Sequence, residues 1–221
     1  MKPDANFAPL CQSFFAKRLI AQRRASPHTV AAYAQTFRLL AKHAEQKLGT
    51  PPSRLALAQL DAPFLASFLD QLEGERANAA CSRNARLAAL RAFYHYAALE
   101  APEHAALIQR VLAIPYKRVV RRLVGYLTHE EVVAILANTD QSTWLGRRNH
   151  AILLFAVQTG LRLSEITSLR RRDVALDTGA HVRCEGKGRK ERCTPLTKPV
   201  VAVLRSWLQE LDTGDDQHVF P

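Results

Sequence analysis

From Leu10 to Ala97, apolar residues recur at steps of three and four in four separate runs. No other feature narrows the fold of this chain as much. Leu10, Phe14, Phe15 and Leu19 form the first run, which predicts a helix over residues 7–24. Val30, Tyr33, Phe37, Leu40 and Ala41 form the second. Ser26 and Pro27 precede that run as an N-cap and a first-turn proline, and Gly49-Thr50-Pro51-Pro52 ends it. Phe64, Leu65, Phe68, Leu69 and Leu72 predict a third helix, starting near Asp61 and broken at Gly74. A fourth, from about Ala79 to Leu99, carries Leu87, Leu90, Phe93, Tyr94 and Ala97, with Arg83, Arg86 and Arg91 on its other face. Four such helices make a compact helical domain over residues 1–110.

The character then changes. Pro102 and Pro115 punctuate a stretch that turns basic at Lys117, Arg118, Arg121 and Arg122, so residues 111–126 read as a basic interdomain linker. A second domain, residues 127–221, opens at Thr128, an N-cap whose capping-box partner is Glu131. An apolar helix over 147–159 ends at Gly160, and a short helix runs from about Ser164 to Leu169. The period then shortens: residues 179–196 predict two strands joined at Gly186-Lys187-Gly188. Thr197 caps a last helix bearing Val200, Val203, Leu204, Trp207, Leu208 and Leu211 on one face. The fold class is mainly α with a small β-hairpin.

With 48% hydrophobic and 23% charged residues among 221, the composition is that of a globular chain and excludes disorder as the main state. The longest apolar run, Ala151–Val157, is too short for a membrane span, and residues 1–25 show no secretory signal. The net charge is +11, and it is not confined to a tail. Fourteen basic and eight acidic residues precede Pro115, and seventeen and twelve follow it. A polyanion, most simply nucleic acid, suits both halves, although solubility alone also accounts for such a charge. Cys11, Cys81, Cys184 and Cys193 form no Cys-x-x-Cys pair. They read as reduced thiols, with a cross-strand Cys184–Cys193 contact allowed. His181, Cys184 and Cys193 are too few for a metal site.

Two cations stand in unusual places. Arg162 follows the glycine that ends the apolar helix and lies between Leu161 and Leu163. Its planar fork suits a bidentate grip on carboxylate or phosphate, or a buried ion pair with Glu165 three residues on. Lys187 sits between two glycines at the hairpin tip, either reaching for a ligand or simply solvated, with Arg189, Lys190 and Arg192 beside it.

The segments "TGLRLSEITSLRRRDVALDTG" and "GKGRKERCTPL" resemble the first half of the catalytic domain of tyrosine recombinases, the phage-integrase family. "SPHTVAAYAQTFRLLAKHA" and "NARLAALRAFYHYA" resemble that family's helical, SAM-like core-binding domain. The resemblance implies two domains that clamp double-stranded DNA, the second being the first half of an α+β catalytic domain. It implies that Arg162 contacts the scissile phosphate, that Lys187 protonates the 5′-hydroxyl leaving group, and that Glu165 supports Arg162. No cofactor or metal is implied. DNA contacts are expected from Arg83, Asn84, Arg86 and Arg91 on the fourth helix, or else these simply solvate it. Further contacts are expected from Lys117, Arg121 and Arg122 in the linker and from Arg189 and Lys190 in the hairpin. Arg170, Arg171 and Arg172 either track the backbone or face water. A cytoplasmic, nucleoid-associated protein that self-associates on paired sites as a tetramer follows from the same resemblance, with no membrane partner.

The family's nucleophile is a downstream tyrosine that forms a 3′-phosphotyrosyl link, preceded by a His-x-x-Arg motif. All five tyrosines here precede Arg162, and "HVFP" resembles the strand that comes before the missing half. The chain thus reads as truncated before the second half of the catalytic domain and inactive alone, with an apolar patch exposed on its second domain. A covalent protein–DNA adduct would overturn that expectation. The alternatives are a catalytically inactive DNA-binding fragment or regulator of a full-length recombinase, and a helical protein-interaction domain with no affinity for duplex DNA.

Overall fold

The computed structural model describes residues 5–74, 79–120, 125–186, 190–211 and 214–221, with the backbone alone at residue 190. The chain forms two compact units, Met1–Arg122 and Leu123–Pro221.

In the first unit, α1 (Phe7–Ser13) continues without a break as a π-helix, Phe14–Gln22. This differs from the single α-helix predicted over 7–24. The wider turn brings Phe14 and Leu19, five residues apart, onto one buried face, which α-helical winding would separate. α2 (Pro27–Leu48) starts as the sequence predicts. The Ser26 Oγ accepts from the Thr29 N–H at 3.2 Å, and Gly49 closes the helix in the left-handed region at φ 64°. α3 (Ala62–Gly74) is capped by Asp61, whose Oδ1 accepts from the Phe64 N–H at 2.9 Å. α4 (Ala80–Glu100) supplies Phe93, the hub of the core, with ring centroids 5.4, 5.5 and 5.7 Å from Phe37, Phe7 and Phe14. Tyr94 is also buried there, and its hydroxyl donates to the Leu60 carbonyl at 2.5 Å.

The predicted linker begins inside this unit. A fifth helix, α5 (Ala105–Leu112), runs into its first two residues, and Ile108, Val111 and Ile114 are buried in the core. Eight residues between two prolines make too short a periodic run to be read as a helix.

In the second unit α6 (His129–Ala137) carries the predicted capping box: the Thr128 N–H donates to Glu131 Oε2 at 2.8 Å, and the Glu131 N–H to Thr128 Oγ1 at 3.3 Å. α6 buries none of its residues. Val133, Ile135, Trp144 and Leu145 are exposed on this part of the unit. α7 (Trp144–Thr159) starts three residues before its predicted bound, because Thr143 caps it by accepting from the Gly146 N–H at 3.0 Å. A Cβ at Gly146 would sit 1.7 Å from the Asp140 carbonyl oxygen, so only glycine fits there. α7 ends at Gly160, φ 62°, and α8 (Leu163–Ser168) follows.

β1 (Val174–Ala175), β2 (His181–Gly186) and β3 (Lys190–Pro195) form an antiparallel sheet in that order. The two predicted strands are β2 and β3; the two residues of β1 are too few to register as alternation. Cys184 pairs with Arg192, and Arg183 with Cys193. The two cysteines therefore face opposite sides, Cys184 buried and Cys193 exposed, and the allowed cross-strand thiol contact does not form. α9 (Lys198–Leu211) packs Val200, Leu204, Trp207 and Leu208 inward. Val219 and Phe220 complete this core, and the Trp207 indole N–H donates to the Val219 carbonyl at 2.8 Å.

Candidate functional site

Gly160 turns the chain out of α7, and Leu161, Ile166 and Leu169 anchor the next segment in the core. Between them Arg162 becomes the N-cap of α8, in extended conformation. Its backbone N–H donates to Glu165 Oε2 at 2.7 Å, which places the Glu165 carboxylate at the start of the helix, where aligned peptide dipoles favour negative charge. The Arg162 guanidinium then reaches round, and its Nη1 donates to Glu165 Oε1 at 3.1 Å. Glu165 is buried, with 5% of its side chain exposed, whereas 63% of the Arg162 side chain is exposed. The ion pair and the open fork coexist: one edge of the guanidinium is tied down and the rest faces out.

Glu165 has a second cationic partner. Nη2 of Arg192, on β3, donates to its Oε2 at 2.8 Å. The Arg162 backbone N–H holds the Glu165 carboxyl below the ordinary carboxylate range. Burial opposes that shift, and the Arg162 side chain and the charges of Arg192 and Arg162 add to it. Composition and spacing place Arg192 only in the general cationic surroundings of the hairpin. The strand register carries the sharper signal, since Arg192 pairs with buried Cys184 and so shares its inward face.

The neighbouring cleft, about 410 Å³, is lined by both signs of charge, including Glu165, Arg170, Arg172, Arg183, Glu185 and Glu191. The triple arginine is largely committed elsewhere. Arg170 donates to the Asp216 carbonyl, Arg172 pairs with the Asp216 carboxylate, and Arg171 donates to the Val174 carbonyl at 3.0 Å. Lys187 and Arg189 lie outside the described residues, as do Arg121 and Arg122; the backbone of Lys190 pairs with Gly186. Among the described residues no group of three or more His, Cys, Asp or Glu is placed to hold a metal ion.

The polar face of α4 differs from its reading as a free cationic surface. Arg83 is buried, 5% exposed; its Nε lies 3.5 Å from Glu73 Oε2, and its Nη1 donates to the Pro115 carbonyl at 3.3 Å. Asn84 takes both backbone groups of Lys117, donating to its carbonyl at 2.7 Å and accepting from its N–H at 3.0 Å. Arg91 donates to the Ile114 carbonyl at 3.3 Å and lies 5.2 Å from the centre of the Tyr116 ring. Lys117 Nζ pairs with Glu73 at 2.5 Å. Arg86 donates to the Ala32 carbonyl and to Thr36 Oγ1, both at 3.1 Å. Arg83, Asn84, Arg91 and Lys117 are thus brought together around the 114–117 segment, and Arg86 joins α4 to α2. Helical spacing identifies a polar face, but it does not show that a segment some thirty residues on will cover it.

The family model described as the phage integrase family matches residues 125–221, and that of the phage integrase N-terminal SAM-like domain matches residues 13–101. A protein of Sinorhizobium fredii (strain NBRC 101917 / NGR234) named "Putative integrase/recombinase y4rC" is 58% identical over 221 residues, all of this chain and 67% of that protein. The tyrosine recombinase XerC of Xanthomonas axonopodis pv. citri (strain 306) is 34% identical over 94% of this chain and 68% of its own length. Among solved structures, the XerH site-specific recombinase in a post-cleavage complex with palindromic difH substrate superposes with a TM-score of 0.65. It is 24% identical, and the match covers 87% of this chain and 57% of that one. A lambda integrase dimer bound to a core site gives 0.66 at 20% identity, over 97% and 72% of the two chains. These two structures share the fold of this chain.

Proposed function

Because the chain belongs to the phage integrase family of tyrosine recombinases, we propose that it serves site-specific DNA recombination by gripping duplex DNA and presenting Arg162 to the phosphate at which strands are exchanged. The observation that carries this reading is the half-tethered Arg162 guanidinium, ion-paired along one edge to buried Glu165 and otherwise exposed. A guanidinium so held is preorganised, and it neutralises charge that builds on phosphoryl oxygens in the transition state. The reading gives Lys187 the role of general acid toward the 5′-hydroxyl. In the complete reaction a tyrosine attacks the phosphorus to form the 3′-phosphotyrosyl link, and the recombining sites are brought together by self-association. The +11 net charge supports a polyanionic partner, and relatives bound to DNA support duplex DNA as that partner.

Binding of a labelled duplex, followed by fluorescence anisotropy against salt, tests this. The expected result is a log–log decline of affinity with salt. Arg162→Ala should weaken binding about tenfold and reduce the slope by about one contact. Absence of duplex binding at low salt refutes the reading and favours a protein-interaction domain.

A further inference from the structure

We infer that Arg192 is a positioning residue, which through the Glu165 carboxylate holds the Arg162 guanidinium ready for a phosphate and ties the strand that follows Lys187 to the helix that carries Arg162. The inference rests on the reading of Arg162 as a phosphate ligand.

A buried carboxylate needs a counter-charge, and Arg162 is the nearest in sequence. Arg162 and Glu165 alone make a neutral pair, so a phosphate approaching Arg162 would compete with Glu165 for a single positive charge. Arg192 changes that balance. Two guanidiniums around one carboxylate leave a net positive charge, and Glu165 keeps a partner at 2.8 Å when the phosphate engages Arg162.

Geometry assigns the two arginines different places on the same carboxylate. Oε2 receives the Arg162 backbone N–H at 2.7 Å and Arg192 Nη2 at 2.8 Å, leaving Oε1 to direct Arg162 Nη1 at 3.1 Å. With Oε2 held from two sides, the carboxylate cannot rotate, and the direction of the Arg162 side chain is set by Oε1. The same contact is mechanical. β3 is paired with β2 from Lys190–Gly186 to Pro195–His181, so a tether at Arg192 locates the base of the hairpin relative to α8. The other charged groups lining the cleft beside Glu165 are Arg170, Arg172, Asp173, Arg183, Glu185 and Glu191. None of these makes a hydrogen bond to the Glu165 carboxylate among the described residues.

The test is a double-mutant cycle on duplex binding by the full chain, read well below each variant's melting midpoint. Arg192→Ala is expected to weaken binding about tenfold, as Arg162→Ala does, because each disables the same phosphate contact. In the Arg162→Ala background, Arg192→Ala should add no more than about twofold. Arg192→Lys, which restores a cation to Glu165, should recover most of the loss. The pH profile supplies a readout that a purely structural role would not move. Without Arg192 the Glu165 carboxyl protonates at higher pH, so affinity should fall away at higher pH than in the parent chain. Fully multiplicative losses would make Arg192 a phosphate contact in its own right and overturn the inference. So would an Arg192→Ala variant that binds normally while Arg162→Ala does not. Normal binding by Arg162→Ala would instead overturn the proposed function.

Discussion

Replacing Glu165 by Gln keeps the shape of the side chain at the centre of the site and removes its charge. The parent carboxylate accepts three hydrogen bonds, at 2.7, 2.8 and 3.1 Å. The single amide oxygen of Gln can keep the two that converge on Oε2, which turns the amide NH2 toward the Arg162 Nη1 donor. One charge-assisted bond is lost, at about 1.5–3 kcal/mol, and two ion pairs become ion–dipole contacts. The arginine side chains are 63% and 42% exposed, so solvent screens much of that loss, leaving about 1.5 kcal/mol. For a unit of this size the melting midpoint should drop by roughly 6–12 °C. Both tryptophans, Trp144 and Trp207, lie in the second unit, so their fluorescence follows its unfolding alone. The pH dependence has a definite sign. The folded carboxyl lies below its ordinary value of 4.5. Its contribution is therefore fully present above the unfolded value and is lost as pH falls through the lower folded value. The gap between parent and Glu165→Gln should be complete near neutrality and close in acid, below the ordinary carboxylate value. An equal gap in acid and at neutrality, or none at neutrality, would refute the claim that the buried charge organises the site.

The packing sets two further outcomes. Asn84→Ala removes both bonds that clamp Lys117 to α4, at 2.7 and 3.0 Å, and should speed tryptic cleavage after Lys117 and Arg118 by about tenfold at little cost to the core. Gly146→Ala drives a methyl group into the Asp140 carbonyl and should destabilise the second unit by about 2–4 kcal/mol, seen as an earlier tryptophan transition; an unchanged midpoint would contradict the close approach at the start of α7.

Much of this architecture is legible in the sequence because caps and apolar periods are local. Ser26-Pro27, Thr128 with Glu131, and Gly49 and Gly160 each act on backbone groups within four residues, and the structure places them at the helix ends they predict. The π-helical stretch is not legible, since the four-residue steps from Leu10 to Phe14 and from Phe15 to Leu19 read as an α-helical stripe on paper. α5 is too short to announce itself between Pro102 and Pro115. The polar face of α4 is ambiguous for a different reason. Arginines spaced at three and five residues look alike whether water, a phosphate or another part of the chain meets them, and that identity depends on a contact between residues about thirty apart.

The site divides along the same line. The order of residues alone established an arginine after a helix break, a glutamate three positions later, and a basic hairpin beyond. Those relations are enforced by backbone geometry over a few residues, and the family resemblance rests on them. That Glu165 is buried, that one of its oxygens is shared by Arg162 and Arg192, and that Arg83 faces inward while Arg162 faces out were settled by the folded chain. Burial and charge pairing depend on which surfaces meet across the fold, and no local period in the sequence encodes which surfaces those are.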